Sequence, residues 1–169
     1  MYHGILHKLT TLGDVDGVRS CLRAGVDPNE EVDEATALFV SLKLGHLKIA
    51  RALLSARADI NLAGRKFKVT PLVAFSGTGC LDPVQWLVRA EADVNHPTSH
   101  TNFQALHFAS MTGHVDVVRF LLQASADINA VVNEQQGKRK GTRMTALEYA
   151  REEGHKECAR LRAQAQTLM

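Results

Sequence analysis

The sequence predicts an all-α repeat solenoid, a single domain over residues 1–169 made of stacked helix-turn-helix units. Three observations predict it. The tetrad Ala-Asp-x-Asn stands at 58–61, 92–95 and 126–129, with a degenerate copy Val26-Asp27-Pro28-Asn29, so the aspartates at 27, 59, 93 and 127 are 32, 34 and 34 residues apart. A second motif precedes the three later tetrads and recurs once after the last: Thr36-Ala37-Leu38, Thr70-Pro71-Leu72, Gln104-Ala105-Leu106-His107 and Thr145-Ala146-Leu147. Nine residues after the first residue of each comes a glycine (Gly45, Gly79, Gly113, Gly154), followed by His46, His114 and His155 in three of the four. Motifs held in phase at a period in the thirties mark a repeat architecture.

The elements follow in order. Gly13 and the stretch Val15–Leu22 supply an early copy of the helical half-unit. In later units the threonine is an N-cap whose oxygen accepts a backbone N–H of the first turn, and Pro71 takes the next position, where a missing N–H costs nothing. Thr145 and Glu148 have the spacing of a capping box. The phased glycine ends the first helix and lets the chain reverse. A second amphipathic helix then begins, with Ile49, Ala50, Leu53 and Leu54, or Val117, Val118, Leu121 and Leu122, on its apolar stripe. In the third unit Asp82-Pro83 marks its start. Asp16, Asp116 and Glu157 lie at matching places, where a carboxylate complements the helix dipole. Neither helix covers its own stripe, so each unit is stable only against a neighbour.

On these motifs the chain resembles the ankyrin-repeat family, whose repeat of about 33 residues carries a Thr-Pro-Leu-His-x-Ala signature. The resemblance covers five units, near 2–33, 34–67, 68–101, 102–142 and 143–169, the first and last acting as caps. The last carries polar Arg160, Arg162 and Gln164 in its second helix. It implies hairpin-like finger loops which, with the first helices, line a concave groove that binds other proteins. The positions facing that groove are Asp33, Ala35, Lys66, Phe67, Val69, His100, Thr101, Phe103, Thr142 and Met144, with Lys43, Leu44, Met111, Thr112, Glu152 and Glu153 from the first helices. From these the expected partner-binding set is Lys43, Leu44, Lys66, Phe67, Val69, His100, Phe103, Met111 and Met144. Phe67, Phe103, Met111 and Met144 would form an exposed apolar patch of the kind that marks interaction sites. The alternative is that they fold down and fill gaps between fingers.

The fingers differ in charge. The first is acidic (Glu30, Glu31, Asp33, Glu34), the second basic (Arg65, Lys66, Lys68), and the third nearly neutral with His96 and His100. The last is long and basic (Lys138, Arg139, Lys140, Arg143). Gln104 and Thr145 are 41 residues apart where earlier starts are 34 apart, which places a mobile, exposed extension within Val131–Arg143. Such a pattern would tune partner specificity and on-rate; neighbouring fingers of opposite sign could instead pair with each other, a small gain when exposed.

Departures from the family pattern carry expectations about stability. A glycine precedes the Asp-x-Asn tetrad only at Gly25; Arg57, Glu91 and Ser125 stand at the equivalent places. Left-handed backbone there costs about 1 kcal/mol relative to glycine. Gln104 is a poor N-cap beside threonine.

Composition narrows the function. The chain is 45% hydrophobic and 22% charged with a formal net charge of +2, which suits a globular fold and argues against a general nucleic-acid binder. The beginning MYHGILHKLT lacks a signal peptide's apolar stretch, and no apolar run reaches about 18 residues. Cys21, Cys80 and Cys158 are scattered, which fits neither a disulfide framework nor a zinc site. A cytoplasmic monomer is expected, with a nuclear alternative because Gly-Lys-Arg-Lys-Gly at 137–141 resembles a minimal import signal. Cys21 and Cys158 read as small core residues and Cys80 as more exposed.

Chemistry is sparse. His7, His46, His107, His114 and His155 occupy positions where the family braces loops and helix ends, and His96 and His100 have no adjacent Cys or carboxylate, so no metal is expected. Gly77-Thr78-Gly79 lacks the remainder of a dinucleotide fingerprint and Gly137-Lys138 the remainder of a P-loop. Gly77 reads instead as weakening a helix end by about 1 kcal/mol against alanine. Trp86 reads as inter-repeat packing, with Ala52, Phe120 and Leu161 as counterparts. The expected function is a non-catalytic protein-interaction module without a cofactor, membrane segment or nucleic-acid partner. Three alternatives remain: a nucleotide- or RNA-binding domain using Phe67, Phe103 and the basic fingers, an architectural spacer, or an inhibitor like the small family members that inhibit cyclin-dependent kinases, to one of which Lys43-Leu44-Gly45 and Ile49-Ala50-Arg51 are similar. Asn61, Asn95 and Asn129 also resemble hairpin asparagines that an oxygen-dependent hydroxylase modifies in other members, though a structural role explains them better.

Overall fold

The computed structural model of the chain describes residues 4–65, 68–98, 102–133 and 143–166. Ten helices and four short strands lie among them. Chain contacts cluster into two units, 1–67 and 68–169, so the division falls between the second and third expected repeats.

In the first unit, α1 (Ile5–Leu12) and α2 (Val15–Arg23) form one antiparallel pair, and α3 (Ala37–Lys43) and α4 (Leu47–Ser55) the next. First helices pack on first helices (α1 on α3) and second on second (α2 on α4). The apolar stripes meet in a core of Leu6, Val18, Leu38, Leu42, Ile49 and Leu53, each at most 3% exposed. Burying a leucine-sized side chain contributes about 1.5–3 kcal/mol. Strands β1 (Glu31–Val32) and β2 (Ala35–Thr36) pair antiparallel across Asp33 and Glu34, both at positive φ. That is the two-residue turn that suits a hairpin's twist, built here without glycine.

The second unit repeats the plan with α5 (Pro71–Thr78), α6 (Leu81–Arg89), α7 (Ala105–Thr112), α8 (Val115–Gln123), α9 (Ala146–Glu152) and α10 (Lys156–Gln166). First helices α5, α7 and α9 pack in one row, second helices α6, α8 and α10 in another. Helix α6 starts at Leu81, two residues before Pro83, which still falls in the first turn where its missing N–H has no helical use. Strands β3 (Val131–Asn133) and β4 (Arg143–Thr145) form a hairpin in which Val131 opposes Thr145, Val132 opposes Met144 and Asn133 opposes Arg143. The expected mobile extension is therefore paired at both its ends; residues 134–142 lie outside the described residues.

The caps follow the sequence. Thr36 and Thr70 accept from the backbone N–H of Phe39 (3.2 Å) and Val73 (3.3 Å). The Thr145 N–H donates to Glu148 at 2.7 Å. At Gln104 the reciprocal bond comes from a ring: the Gln104 N–H donates to His107 Nδ1 at 3.2 Å. Gly13, Gly45, Gly79, Gly113 and Gly154 all take positive φ after the first helix of their repeat. Arg57, Glu91 and Ser125 take φ of 65–66°, the left-handed backbone expected of the places where Gly25 has no counterpart.

Candidate docking surface

The Asp-x-Asn tetrad, read from sequence only as a period, has a local job. In all four copies the aspartate Oδ1 accepts from the asparagine N–H two residues on, at 2.9 Å, which closes an Asx turn and fixes the loop's exit. The asparagine then reaches onward. Asn29 Oδ1 accepts from the Asp59 N–H at 2.7 Å and Asn95 Oδ1 from the Asp127 N–H at 2.8 Å, while Asn95 Nδ2 donates to the Ser125 carbonyl at 3.3 Å. These side chains join successive loops.

The histidines brace the frame. His7 Nε2 lies 2.6 Å from the Ala35 carbonyl, and His155 Nε2 lies 3.0 Å from the Met111 carbonyl, one of the last-turn carbonyls α7 leaves without a helical partner. His107 holds the base of the long hairpin. Its Nδ1 accepts from Gln104, so its Nε2 carries the proton and donates to the Ala130 carbonyl at 3.1 Å. Burial pushes the His107 imidazole down to about 4; the Ala130 hydrogen bond and the Asp127 charge act the other way and are outweighed. His114 and His155 lie over Gly79 and Gly113, where an added Cβ would stand 2.5 Å from the ring. His46 lies over Gly13 in the same manner. The histidine of each Gly-His pair therefore lies against the phased glycine of the preceding repeat.

The expected partner-binding residues divide into three groups. Lys66, Phe67 and His100 lie outside the described residues. Phe103 (7% exposed) and Met144 (6% exposed) are not on an exposed patch: with Val132 and Tyr149 they form a buried cluster, and Met111 and Phe108 pack half-buried against it. The Phe103 ring lies 5.5 Å from Tyr149, 5.4 Å from Phe108 and 5.7 Å from His107, centroid to centroid. Burial of Val132 and Met144, which oppose each other across β3–β4, puts one face of that hairpin in the core. The gap-filling alternative therefore describes Phe103 and Met144. Val69 is half-buried.

Lys43 and Leu44, at the end of α3, are exposed, Leu44 by 46%. The sequence reading missed their neighbours. Leu12 at the end of α1 is 71% exposed and Leu47 at the start of α4 is 43% exposed. The His46–Gly13 contact sets the end of α1 against the turn between α3 and α4, the two places that carry Leu12 and Leu44–Leu47, with Lys43 and Lys48 also exposed. A signal was present in the sequence: the residue before the phased glycine is Leu12 and Leu44 here but Thr78, Thr112 and Glu153 in the other units.

Neighbouring fingers of opposite sign do pair in the first unit. Arg65 Nε lies 3.4 Å from Glu31 Oε2, which also accepts from the Arg65 N–H at 3.3 Å. With Arg65 largely exposed, this ion pair contributes little. Cys158 is buried, and that burial, reinforced by the charge of Glu157, pushes its thiol up, away from the reactive thiolate. Cys21 is half-buried and Cys80 exposed. Trp86 is half-buried on α6. Among the described residues no three His, Cys, Asp or Glu side chains come together to hold a metal, and no helix is long and apolar enough to cross a membrane.

Family models match most of the chain in overlapping stretches: a single ankyrin repeat over residues 33–65, ankyrin repeats in three copies over 63–132, and ankyrin repeats in many copies over 106–161. No curated protein matches it.

Proposed function

Because the chain belongs to the ankyrin-repeat family, whose repeats are in general protein-interaction modules, we propose that it is a non-catalytic module that docks a protein partner against the ends of its first helices. The observation that carries this reading is the exposed apolar spot of Leu12, Leu44 and Leu47 bordered by Lys43 and Lys48. Leucines left in water beside an ordered contact offer area to bury, and the flanking ammonium groups add direction to the encounter. Of the expected set, this reading uses Lys43 and Leu44. Phe103 and Met144 act one step back, by holding the long hairpin in position.

The test is affinity capture from cell lysate followed by mass spectrometry, comparing the wild type with Leu12→Asp, Leu44→Asp and Leu47→Asp combined. The changes are all at exposed positions and leave the core intact. Partners captured by the wild type and lost by the variant support the reading; an unchanged set of partners refutes it.

A further inference from the structure

A second surface lies in the first unit, on the row of second helices. Between α2 and α4 runs an open groove of about 790 Å³ lined by Asp16, Arg19, Leu22, Arg23, Lys48, Arg51, Ala52, Ser55 and Ala56. Its floor is aliphatic and half-buried (Leu22, Ala52, Ala56), and its walls are exposed and charged. Ala52 stands in the repeat pattern where the third unit has Trp86 and the fourth Phe120, so the side chain offered to the groove at this position is a methyl group and not a ring.

The charge is one-sided. Four cations, Arg19, Arg23, Lys48 and Arg51, face a single carboxylate, Asp16, which lies 3.8 Å from Arg19. Lys48 and Arg51 make no ion pair among the described residues. Arg23 is already oriented, its Nε donating to the Arg19 carbonyl at 3.3 Å and its guanidinium lying 3.5 Å from Ser20 Oγ. In the same unit Arg65 meets Glu31. Here the four cations surround an unfilled apolar floor.

We propose that the α2–α4 groove is a docking site for an acidic protein segment, whose carboxylates pair with Arg19, Arg23, Lys48 and Arg51 while a small apolar side chain seats on Leu22 and Ala52. Charge complementarity selects acid. The floor selects peptide over nucleic acid, because it offers no aromatic ring on which a base could stack, and the whole chain carries only +2. This surface meets the Leu12–Leu44–Leu47 spot at Lys48, which borders both; Arg23, Arg51 and Ala52 belong to the groove and Leu44 to the spot, so variants at those residues tell the two readings apart.

The experiment is selection of a displayed library of short random peptides on the full chain, with counter-selection on the double variant Arg23→Glu, Arg51→Glu. Enriched peptides are then titrated by fluorescence anisotropy against the wild type, the double variant, Ala52→Trp and Leu44→Asp, with circular dichroism as a check that each variant is folded. The expected result is enrichment of Asp- and Glu-rich peptides whose affinity falls at least about tenfold in the double variant. A comparable loss is expected in Ala52→Trp, which fills the groove without touching a charge, and none in Leu44→Asp. Enrichment without an acidic bias, or affinity that survives both groove variants, overturns the proposal. So does tighter binding of an oligouridylate RNA that the double variant abolishes, which would make the groove a nucleic-acid site. Self-association by sedimentation that the double variant removes would assign it to a second copy of this chain.

Discussion

Asn95 and Asp127, thirty-two residues apart, are joined by a 2.8 Å hydrogen bond from the Asp127 N–H to the Asn95 side-chain oxygen. The same asparagine donates to the Ser125 carbonyl, so one amide group satisfies a donor and an acceptor of the next loop. Removing it leaves both to water. Asn95→Ala is expected to lower stability by about 1 kcal/mol, and Asn95→Asp by less, because the acceptor stays. Chemical denaturation of the three proteins checks the order; equal midpoints for wild type and Asn95→Ala would show that the stitch contributes nothing.

Three side chains sit in left-handed backbone at the place where the first repeat has Gly25. Arg57, Glu91 and Ser125 hold φ near +65°, and Arg57 is exposed with no side-chain hydrogen bond to lose among the described residues. Arg57→Gly is expected to stabilise by about 1 kcal/mol and to raise the melting temperature by a few degrees. Differential scanning calorimetry decides it, and a fall in melting temperature would count against the strain argument.

Two glycines two residues apart should respond in opposite directions to the same change. At Gly79 (φ 74°) an added Cβ would stand 2.5 Å from the His114 ring, so Gly79→Ala combines left-handed strain with displacement of a bracing ring. It is expected to cost about 2 kcal/mol or more. Gly77 is helical, and a Cβ there meets Phe108 at an ordinary 3.5 Å, so Gly77→Ala is expected to gain about 1 kcal/mol. Thermal melts of the pair, run side by side, test both signs at once.

His107 makes stability depend on pH. Its folded-state pKa is lowered from 6.5 to about 4, so above 6.5 the ring is neutral in both states and has no pH-dependent effect. Between 6.5 and 4 the unfolded chain takes up a proton that the folded chain refuses. Stability then falls by about 1.4 kcal/mol per pH unit, close to 3 kcal/mol by pH 4, and this contribution levels off below that. Urea unfolding at several pH values should show a steeper acid loss for the wild type than for His107→Gln, even though the variant is weaker at neutral pH for want of its two backbone bonds. Parallel curves would show that His107 titrates normally.

The repeats were legible because each motif residue answers a local backbone need that recurs with the period: a cap at Thr36, Thr70 and Thr145, a left-handed turn at Gly79 and Gly113, an Asx turn at Asp59 and Asp93. Such needs are written in single residues. The docking surface was less legible, because exposure is a sum over neighbours that are distant in sequence. Phe103 and Met144 look like free finger side chains until the pairing of β3 with β4 and the position of Tyr149 are known; then they are core. Leu12 and Leu44 look like ordinary helix residues until the fold shows that nothing covers the helix ends they occupy. The α2–α4 groove becomes visible only when the fold brings the basic residues of two helices onto its walls.

The hairpin β3–β4 has a practical consequence. Its two ends are clamped by the core through Val132 and Met144 and by the Asn133–Arg143 pairing, so chain inserted between 133 and 143 starts and finishes at two points already held side by side. The closure entropy of such an insert grows only with the logarithm of its length, about 0.6 kcal/mol for each doubling. That makes this span a natural splice point, where a reporter peptide or an epitope could be grafted while the helices beneath keep their register.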